Sequence, residues 1–112
     1  MAKIIYSPEA LHDLENIGDY ISKQLKNPTA ALNTVNAIQD RIDKLKDFPL
    51  LGTPLSAIYD DIDVGDYRFL VCLKYLAFYR AVENGVYIDR VMYGRRDYIT
   101  ILFGERPQDE TE

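Results

Sequence analysis

Histidine and cysteine occur only once each in the 112 residues, and each scarcity excludes a class of site. A single cysteine cannot form an internal disulfide, which is typical of proteins that stay in a reducing compartment. The strand-like alternation around Cys72 predicts a small buried hydrophobe rather than a reactive thiol. His12 falls in a segment full of charged residues, so we expect a solvated surface side chain rather than a catalyst.

Long apolar runs are missing as well, and stretches such as Phe69 to Leu73 are far too short to span a bilayer. The chain begins Met-Ala-Lys-Ile-Ile-Tyr and passes at once into a strand-like segment, which predicts no signal peptide. No phosphate-cradling glycine loop, nucleophile triad or metal-ligand spacing occurs, and Asp60, Asp61 and Asp63 do not match a calcium loop. We therefore expect a cytoplasmic protein with no membrane partner, no metal and no small-molecule cofactor.

Negative charge outweighs positive charge, but the two are unevenly distributed. The formal net charge of −5 argues against indiscriminate binding to nucleic acid. Residues 1–63 carry six basic and ten acidic groups, whereas residues 64–106 carry seven basic and five acidic groups. The last six residues add three carboxylates, so the second half is positive only up to residue 106.

Arginine and tyrosine are concentrated in that second half. Six of the seven arginines lie between Tyr67 and Arg106, whereas five of the six lysines lie before residue 47. The arginines are Arg68, Arg80, Arg90, Arg95, Arg96 and Arg106, and the tyrosines are Tyr67, Tyr75, Tyr79, Tyr87, Tyr93 and Tyr98. Arginine grips phosphate or carboxylate with a planar fork and stacks on aromatic rings, whereas lysine is a mobile point charge. The pattern favours a surface built to meet a specific partner.

The first half predicts one strand and two helices. Lys3 to Tyr6 is β-branched and aromatic, as in a strand. Ser7-Pro8 and Asn27-Pro28 each place a capping residue before a proline at the first helical position. Apolar residues then recur at helical spacing: Leu11, Leu14, Ile17, Ile21 and Leu25 in the first helix, and Ala31, Val35, Ile38, Ile42 and Leu45 in the second. Phe48-Pro49 ends the second helix, and the tight junction between the two predicts an antiparallel helical hairpin.

The second half predicts strands after a loop over Leu50 to Asp66. Alternation of period two predicts strands over Tyr67 to Leu73, Tyr75 to Val82 and Val86 to Tyr93. Asn84-Gly85 predicts a type I′ hairpin turn with positive φ at both residues. The segment from Gly94 to Phe103 fits either a strand end or a helical turn.

The predicted order is β-α-α-β-β-β, an α+β architecture. An N-terminal strand joins a small, mainly antiparallel sheet, and the helical hairpin packs on one face. We expect a single domain over residues 3–103 and a polar, flexible tail over residues 104–112. Because the helices cover one face, we expect the Arg and Tyr side chains to line the other face and the rim of the sheet.

Structural roles compete with functional ones at each candidate residue. Arg80 and Arg90 are expected to pair with Asp89, Glu83 or Asp97 across the sheet. Three tyrosines at strand spacing are expected to pack rather than to act chemically, namely Tyr75, Tyr79 and Tyr87. The better functional candidates are the arginines at strand ends, namely Arg68, Arg95 and Arg96.

The motifs, taken in order, resemble those of the RelE/ParE superfamily of type II toxins. The resemblance is carried by Tyr67-Arg68, Tyr75-Leu-Ala-Phe-Tyr-Arg80, Asn84-Gly85, Arg90-Val-Met-Tyr-Gly-Arg-Arg-Asp-Tyr98, Tyr6-Ser-Pro-Glu-Ala-Leu-His-Asp-Leu14 with Ile17 and Tyr20-Ile21, and Phe48-Pro49 with Gly52. The match spans residues 3–103, and it is the order and spacing of the pieces that are specific. The resemblance implies a small cytoplasmic bacterial toxin that arrests growth or stabilises a plasmid, encoded beside an antitoxin that wraps and neutralises it.

Two activities diverge within that superfamily. RelE-like members cut messenger RNA in the ribosomal A site, whereas ParE-like members inhibit DNA gyrase without a recognised hydrolytic site. Here Leu76 stands where ribonuclease members commonly have arginine, no histidine follows His12, and the chain is acidic where ribosome-cutting members tend to be basic. These departures favour a ParE-like toxin, with a RelE-like endoribonuclease or a non-toxic relic that still binds antitoxin as the alternatives.

An endoribonuclease would need a base for the 2′-OH and cations around the phosphorane. The candidate catalytic residues for that case are Arg68, Arg95, Arg96, Tyr93 and Tyr98. A tyrosine could serve in proton transfer if neighbouring guanidinium groups lowered its pKa. A gyrase inhibitor would instead act by contact, through the sheet rim, the helical hairpin or the segment from Asp97 to Arg106.

Overall fold

A five-stranded sheet carries two long helices on one face. The computed structural model describes residues 3–60, 63–94 and 98–104. The strands are β1 (Lys3–Tyr6), β2 (Thr53–Pro54), β3 (Arg68–Cys72), β4 (Tyr75–Val82) and β5 (Gly85–Tyr93), in the spatial order β1-β5-β4-β3-β2. The helices are α1 (Pro8–Asp19), α2 (Pro28–Asp43) and α3 (Tyr98–Phe103). β1 is parallel to β5 and the other neighbours are antiparallel, which confirms the predicted α+β fold.

Both long helices begin at the capping residues that the sequence predicts. The Ser7 hydroxyl accepts a hydrogen bond from the Ala10 amide at 2.9 Å, and the Asn27 side chain accepts one from the Ala30 amide at 3.0 Å. Each cap satisfies a backbone donor that the first helical turn leaves unpaired. These local bonds fix the residue at which each helix of the hairpin begins.

The apolar stripe of the first helix differs from the predicted one. Tyr20–Gln24 forms a π-helical turn directly after α1, and this wider turn changes which side of the helix later residues face. Leu25 is therefore exposed rather than turned inward, and Leu11 is exposed because Ala10 and Leu14 define the buried side. The prediction that Leu11 and Leu25 belong to the inward stripe is wrong.

The β4–β5 hairpin forms as predicted but with a different turn. Val82 pairs with Gly85, so Glu83 and Asn84 form the loop, and Asn84 alone takes a positive φ of 67°. The predicted type I′ turn over Asn84-Gly85 is wrong. Gly85 is needed for a different reason, since a Cβ there would lie 2.5 Å from the Lys3 carbonyl oxygen of the neighbouring β1 strand.

Two elements, β2 and α3, lie in segments for which the sequence predicts no definite strand or helix. β2 falls inside the predicted loop and pairs Thr53 with Phe69, a two-residue strand too short to show a periodicity. α3 forms in the segment from Gly94 to Phe103, which decides for a helical turn. β3 begins one residue later and ends one residue earlier than predicted, and β5 begins one residue earlier. The predicted tail, apart from Gly104, lies outside the described residues.

Apolar side chains are buried on both faces of the sheet. The hairpin-side cluster includes Ile38, Ile42 and Leu45 from the helical segments, packed against Leu70, Cys72, Ala77, Val86, Ile88 and Val91 of the strands. The cluster on the opposite face comprises Leu55, Val64, Phe78 and Met92, with Ile101, Leu102 and Phe103 of α3 against it. The expectation of a face left bare by the helices is therefore wrong, because the central strands carry large apolar residues on both sides.

Cys72 lies fully buried in the hairpin-side cluster, as the strand pattern predicts. Burial raises the pKa of its thiol to about 11, so the residue behaves as a neutral hydrophobe at physiological pH. His12 is exposed, also as predicted. Across the part of the chain that the structure describes, no helix combines the length and apolar character needed to cross a membrane.

Candidate interaction surfaces

Arg80 is the centre of an aromatic and charged cluster on the face opposite the helical hairpin. Its guanidinium carbon lies 5.5 Å from the ring centre of Tyr67 and 5.3 Å from that of Tyr87, which is within cation–π range. One Arg80 nitrogen is 3.7 Å from the Asp89 carboxylate, and the Tyr67 hydroxyl donates to the same carboxylate. The predicted pairing of Arg80 with Asp89 is confirmed, and the charge of Arg80 is largely used within the sheet.

Arg90 also forms an ion pair, but with a partner that the sequence did not predict. Its Nε and Nη2 donate to the Asp13 carboxylate of α1 at 2.7 Å and 2.9 Å, and the Val91 amide donates to it at 3.0 Å. Arg90 therefore does not make the predicted pairing with Asp89 or Glu83, and Asp97 lies outside the described residues. The cause is a β-bulge at Asp89, because an extra residue there turns Arg90 toward α1.

Arg68 is the first residue of β3. It points to the hairpin side of the sheet, since residues two apart in a strand share a face and Leu70 and Cys72 are buried on that side. Its Nη1 donates to the carbonyl oxygens of Gly52 at 2.9 Å and of Leu50 at 3.4 Å. The expectation that Arg68 lies on a face left open by the helices is wrong. In this position it holds the β2 loop against the sheet.

The remaining candidates for an endoribonuclease site are not gathered around Arg68. Tyr93 ends β5, is partly exposed, and packs against Tyr75 with 5.9 Å between the ring centres. Tyr93 pairs with Tyr75 at one end of the central strands, whereas Arg68 pairs with Tyr79 toward the other. Arg95 and Arg96 lie outside the described residues. Tyr98 begins α3, but its side chain is not among those described.

The tyrosines whose pKa is shifted all become weaker acids. Burial raises the pKa of Tyr6 and of Tyr67 to about 12, with the Asp89 hydrogen bond adding to the effect at Tyr67. Burial also raises the pKa of Tyr75 and of Tyr79. These shifts oppose the lowered pKa that a tyrosine base would need, because the phenolate form is disfavoured.

A groove opens where the helical hairpin separates from the sheet, and no sequence pattern predicts it. Its volume is about 690 Å³. It lies between the π-helical turn, the start of α2, the turn from β3 to β4 and the end of β5, and is lined by Asp13, Asn16, Ile17, Tyr20, Ile21, Leu25, Ala30, Thr34, Leu73, Lys74, Tyr75, Val91, Met92 and Tyr93. Four of these apolar or aromatic residues are among the large exposed side chains, namely Tyr20, Leu25, Leu73 and Tyr93. The helical spacing predicts a buried Leu25 and therefore does not indicate this surface. Leu25 is exposed only because of the π-helical turn.

No metal centre is evident within residues 3–60, 63–94 and 98–104, where no three His, Cys, Asp or Glu side chains are grouped to hold an ion. What those residues offer is an apolar groove, an arginine held between aromatic rings, and a loop fixed by Arg68. Together with the fold, these features describe a small α+β protein with an exposed apolar groove.

The chain belongs to the family of ParE toxins of the type II toxin–antitoxin system parDE, whose family model matches residues 4–98. Among solved structures, one chain titled as the chromosomal ParDE system from P. aeruginosa is 22% identical, with a TM-score of 0.69 over 83% of this chain and 96% of that one. A chain of the E. coli DinJ-YafQ toxin–antitoxin complex is 18% identical, with a TM-score of 0.51 over 92% of this chain and 98% of that one. At these identities the two structures share the fold. No curated protein matches the chain.

Proposed function

We propose that this protein arrests bacterial growth by binding and inhibiting DNA gyrase in the cytoplasm, and that a cognate antitoxin neutralises it. The observation that carries the proposal is the ParE family match over residues 4–98. The geometry supports inhibition by contact. Of the described arginines of the second half, Arg80 and Arg90 are held in ion pairs and Arg68 is held by backbone carbonyl oxygens.

The described residues do not favour RNA cleavage. A base that accepts the 2′-OH proton works best with a pKa near the working pH, and burial raises the pKa of Tyr67 and of Tyr79, which makes these two tyrosines poorer candidates for that role. Arg68 and Tyr93 are too far apart along the strands to act on one phosphate. If the protein is nevertheless a RelE-like nuclease, Arg95, Arg96 and Tyr98 would have to supply the site.

Induced expression without antitoxin provides the first test, and we expect growth arrest. Purified protein should then stop supercoiling by gyrase while leaving messages intact in a translating extract, as read by primer extension. Cut messages with normal supercoiling would show that the protein is a ribosome-dependent endoribonuclease rather than a gyrase inhibitor, and its activity should then fall in Arg96→Ala. Unaffected growth would identify a non-toxic relic.

The antitoxin is proposed to dock in the groove between the hairpin and the sheet. The groove is mainly apolar and long enough for several side chains, which suits the apolar face of an antitoxin helix or an extended segment. Lys74, Asp13 and Asn16 lie in its wall and offer polar contacts. The titles of the two similar structures name toxin–antitoxin systems, which supports a partner of this kind.

Leu25→Ser tests this docking site, because Leu25 lines the groove and is 58% exposed. Removing a leucine from an interface should weaken antitoxin binding by about tenfold or more. Leu32→Ser is the matched control, since Leu32 is 63% exposed on α2 and does not line the groove. Equal antitoxin affinity for both variants, measured by calorimetry, would place the antitoxin elsewhere.

A further inference from the structure

All of the chain's excess negative charge falls in one segment, residues 47–67. This segment carries five acidic residues and no lysine or arginine, whereas the rest of the chain carries thirteen of each sign. The acidic residues are Asp47, Asp60, Asp61, Asp63 and Asp66. The opposite charges of the remaining residues balance in sum, although residues 9–19 and 107–112 are acidic as well.

The same segment presents large apolar side chains to solvent. Phe48, Leu50 and Leu51, which we call the knuckle, are 64%, 62% and 47% exposed. Three such residues within four positions are unusual on a free surface, because exposed aromatic and aliphatic side chains of this size are commonly used in binding. The knuckle lies between the end of the second helix and β2.

The knuckle is held rigidly by buried groups behind it. The Phe48 amide donates to the Lys44 carbonyl and the Leu51 amide to the Phe48 carbonyl, both at 3.0 Å. The next residue, Gly52, is buried, and its amide donates to the Tyr79 hydroxyl at 2.7 Å. Arg68 holds the Leu50 and Gly52 carbonyls from the sheet side. A binding partner would therefore lose little free energy in ordering this loop.

Acidic side chains border the knuckle on two sides. Exposed Asp47 precedes Phe48 directly. Leu50 and Asp66 line a common pocket of about 380 Å³, and the Asp63 carboxylate accepts the Gly65 amide beside that pocket at 3.0 Å. Of the neighbouring cations, Arg68 lines the pocket but is directed at backbone carbonyl oxygens, and Lys46 pairs with Asp43 at 3.8 Å, while Lys44 is exposed one helical turn before Phe48. The apolar knuckle thus has an acidic rim.

We propose that the knuckle is the contact with the poisoned enzyme, and that it binds a protein surface with an apolar pocket bordered by lysine and arginine. This inference rests on the proposed function and assigns it a surface. The acidic rim selects a basic protein surface and disfavours direct contact with nucleic acid, since phosphates would be repelled. The groove proposed for the antitoxin lies at the opposite end of α2 and of β3, so target and antitoxin use separate regions.

The double variant Phe48→Ser/Leu50→Ser tests the apolar contact in the full chain, with Leu32→Ser as the control of equal exposure. Inhibition of gyrase supercoiling should weaken by about tenfold or more in the double variant and stay unchanged in the control. Antitoxin affinity should be unchanged in both, which also shows that the double variant is folded. Inhibition equal to that of the unaltered protein would overturn the inference.

Charge reversal tests the acidic rim independently. Asp47→Lys/Asp66→Lys should weaken inhibition and remove its dependence on salt between about 50 and 200 mM. Asp19→Lys/Asp40→Lys makes the same change in net charge at exposed positions outside the segment and should leave both quantities unaltered. If the two charge variants behave alike, net charge rather than the rim is responsible, and the inference fails.

Growth arrest separates failure of the inference from failure of the proposed function. If the unaltered protein inhibits gyrase and the knuckle variant does so equally, the inference fails and the function stands. If the unaltered protein arrests growth without affecting gyrase, and the knuckle variant relieves the arrest, the gyrase target is wrong and the knuckle contact stands. If the knuckle variant instead loses antitoxin binding, the surface belongs to the antitoxin and the inference is wrong.

Discussion

Gly52 shows how one residue without a side chain holds the β2 loop to the sheet. A Cβ at this position would lie 2.6 Å from the Phe69 carbonyl oxygen and 2.7 Å from the Tyr79 ring. Neither group can move away easily, because Phe69 belongs to a paired strand and Tyr79 is fully buried. The close approach is also what allows the Gly52 amide to reach the Tyr79 hydroxyl.

Gly52→Ala should destabilise the protein by about 1 to 3 kcal/mol, because the added methyl group overpacks the junction. Gly18→Ala is the control. Its Cβ would meet Val35 at 3.5 Å, an ordinary contact, and alanine favours the helix by about 1 kcal/mol. Free energies of unfolding from urea titration should therefore change in opposite directions. A neutral Gly52→Ala would show that the loop is not tightly held.

Cys72 should make the protein sensitive to alkali. Burial raises the pKa of its thiol from 9.0 to about 11, so folding keeps the proton on sulfur. The resulting stabilisation is present below pH 9 and is lost as the pH rises through 11, by about 2 to 3 kcal/mol in total. Tyr6 and Tyr67 act in the same direction above pH 10.

Cys72→Ala isolates the thiol. Between pH 9 and pH 10, where the tyrosines with a raised pKa also begin to lower stability, the free energy of unfolding should fall more steeply in the original protein than in the variant. The variant will be less stable at neutral pH because of the missing sulfur. The test of the assignment is therefore the slope of the free energy of unfolding against pH. Parallel pH profiles from urea unfolding would contradict the assignment.

At the scale of elements, the Asp13–Arg90 pair connects α1 to the bulged part of β5. Both side chains are mostly buried, and the carboxylate also accepts a hydrogen bond from the Val91 amide, two residues after the bulge at Asp89. Asp13 of the first helix thus binds both a side chain and a backbone amide of β5 beside its bulge. Helix and bulge depend on each other.

Asp13→Asn should cost about 2 to 3 kcal/mol, since a half-buried guanidinium loses its charged partner. Asp43→Asn is the control, because Asp43 pairs with Lys46 at 3.8 Å in an exposed position worth under about 0.5 kcal/mol. Urea unfolding of both variants gives the comparison. If the two losses are equal, the bulge is supported by the sheet alone.

At the scale of the whole molecule, the two proposed binding regions lie at opposite ends of α2. The groove lies near Ala30 and Thr34 at its start, and the knuckle follows its end. A ligand at either region that binds only the folded state stabilises the entire molecule. The regions can therefore be distinguished by which variant removes the stabilisation.

Antitoxin at a hundred times its Kd should stabilise the protein by about 2.7 kcal/mol, equivalent to a rise in Tm of roughly 10 °C or more. The rise should be smaller in Leu25→Ser, whose groove is altered. In Phe48→Ser/Leu50→Ser, whose groove is intact, the rise in Tm should equal that of the unaltered protein. Thermal scans with equal antitoxin concentrations provide the measurement, and an equal rise in Leu25→Ser would exclude the groove.

Local chemistry in the sequence determined most of the elements. Capping residues with prolines fixed the helix starts at Ser7 and Asn27, and alternation fixed the central strands and the burial of Cys72. Such signals act between residues a few positions apart, so a single sequence contains them. They failed where local geometry departs from the ideal period, at the π-helical turn before Leu25 and in the two-residue strand β2.

Which surfaces of the molecule are exposed for binding depends on its tertiary contacts. Arg90 turns to Asp13 because of a bulge, Arg68 faces the hairpin because of the register of β3, and α3 closes a face expected to be open. These outcomes depend on contacts between residues far apart in the chain, for which composition and period carry no signal. Local patterns in the chain are enough to specify the α+β fold and the resemblance to a toxin family, whereas the groove and the rigid backing of the knuckle arise only when distant segments pack together.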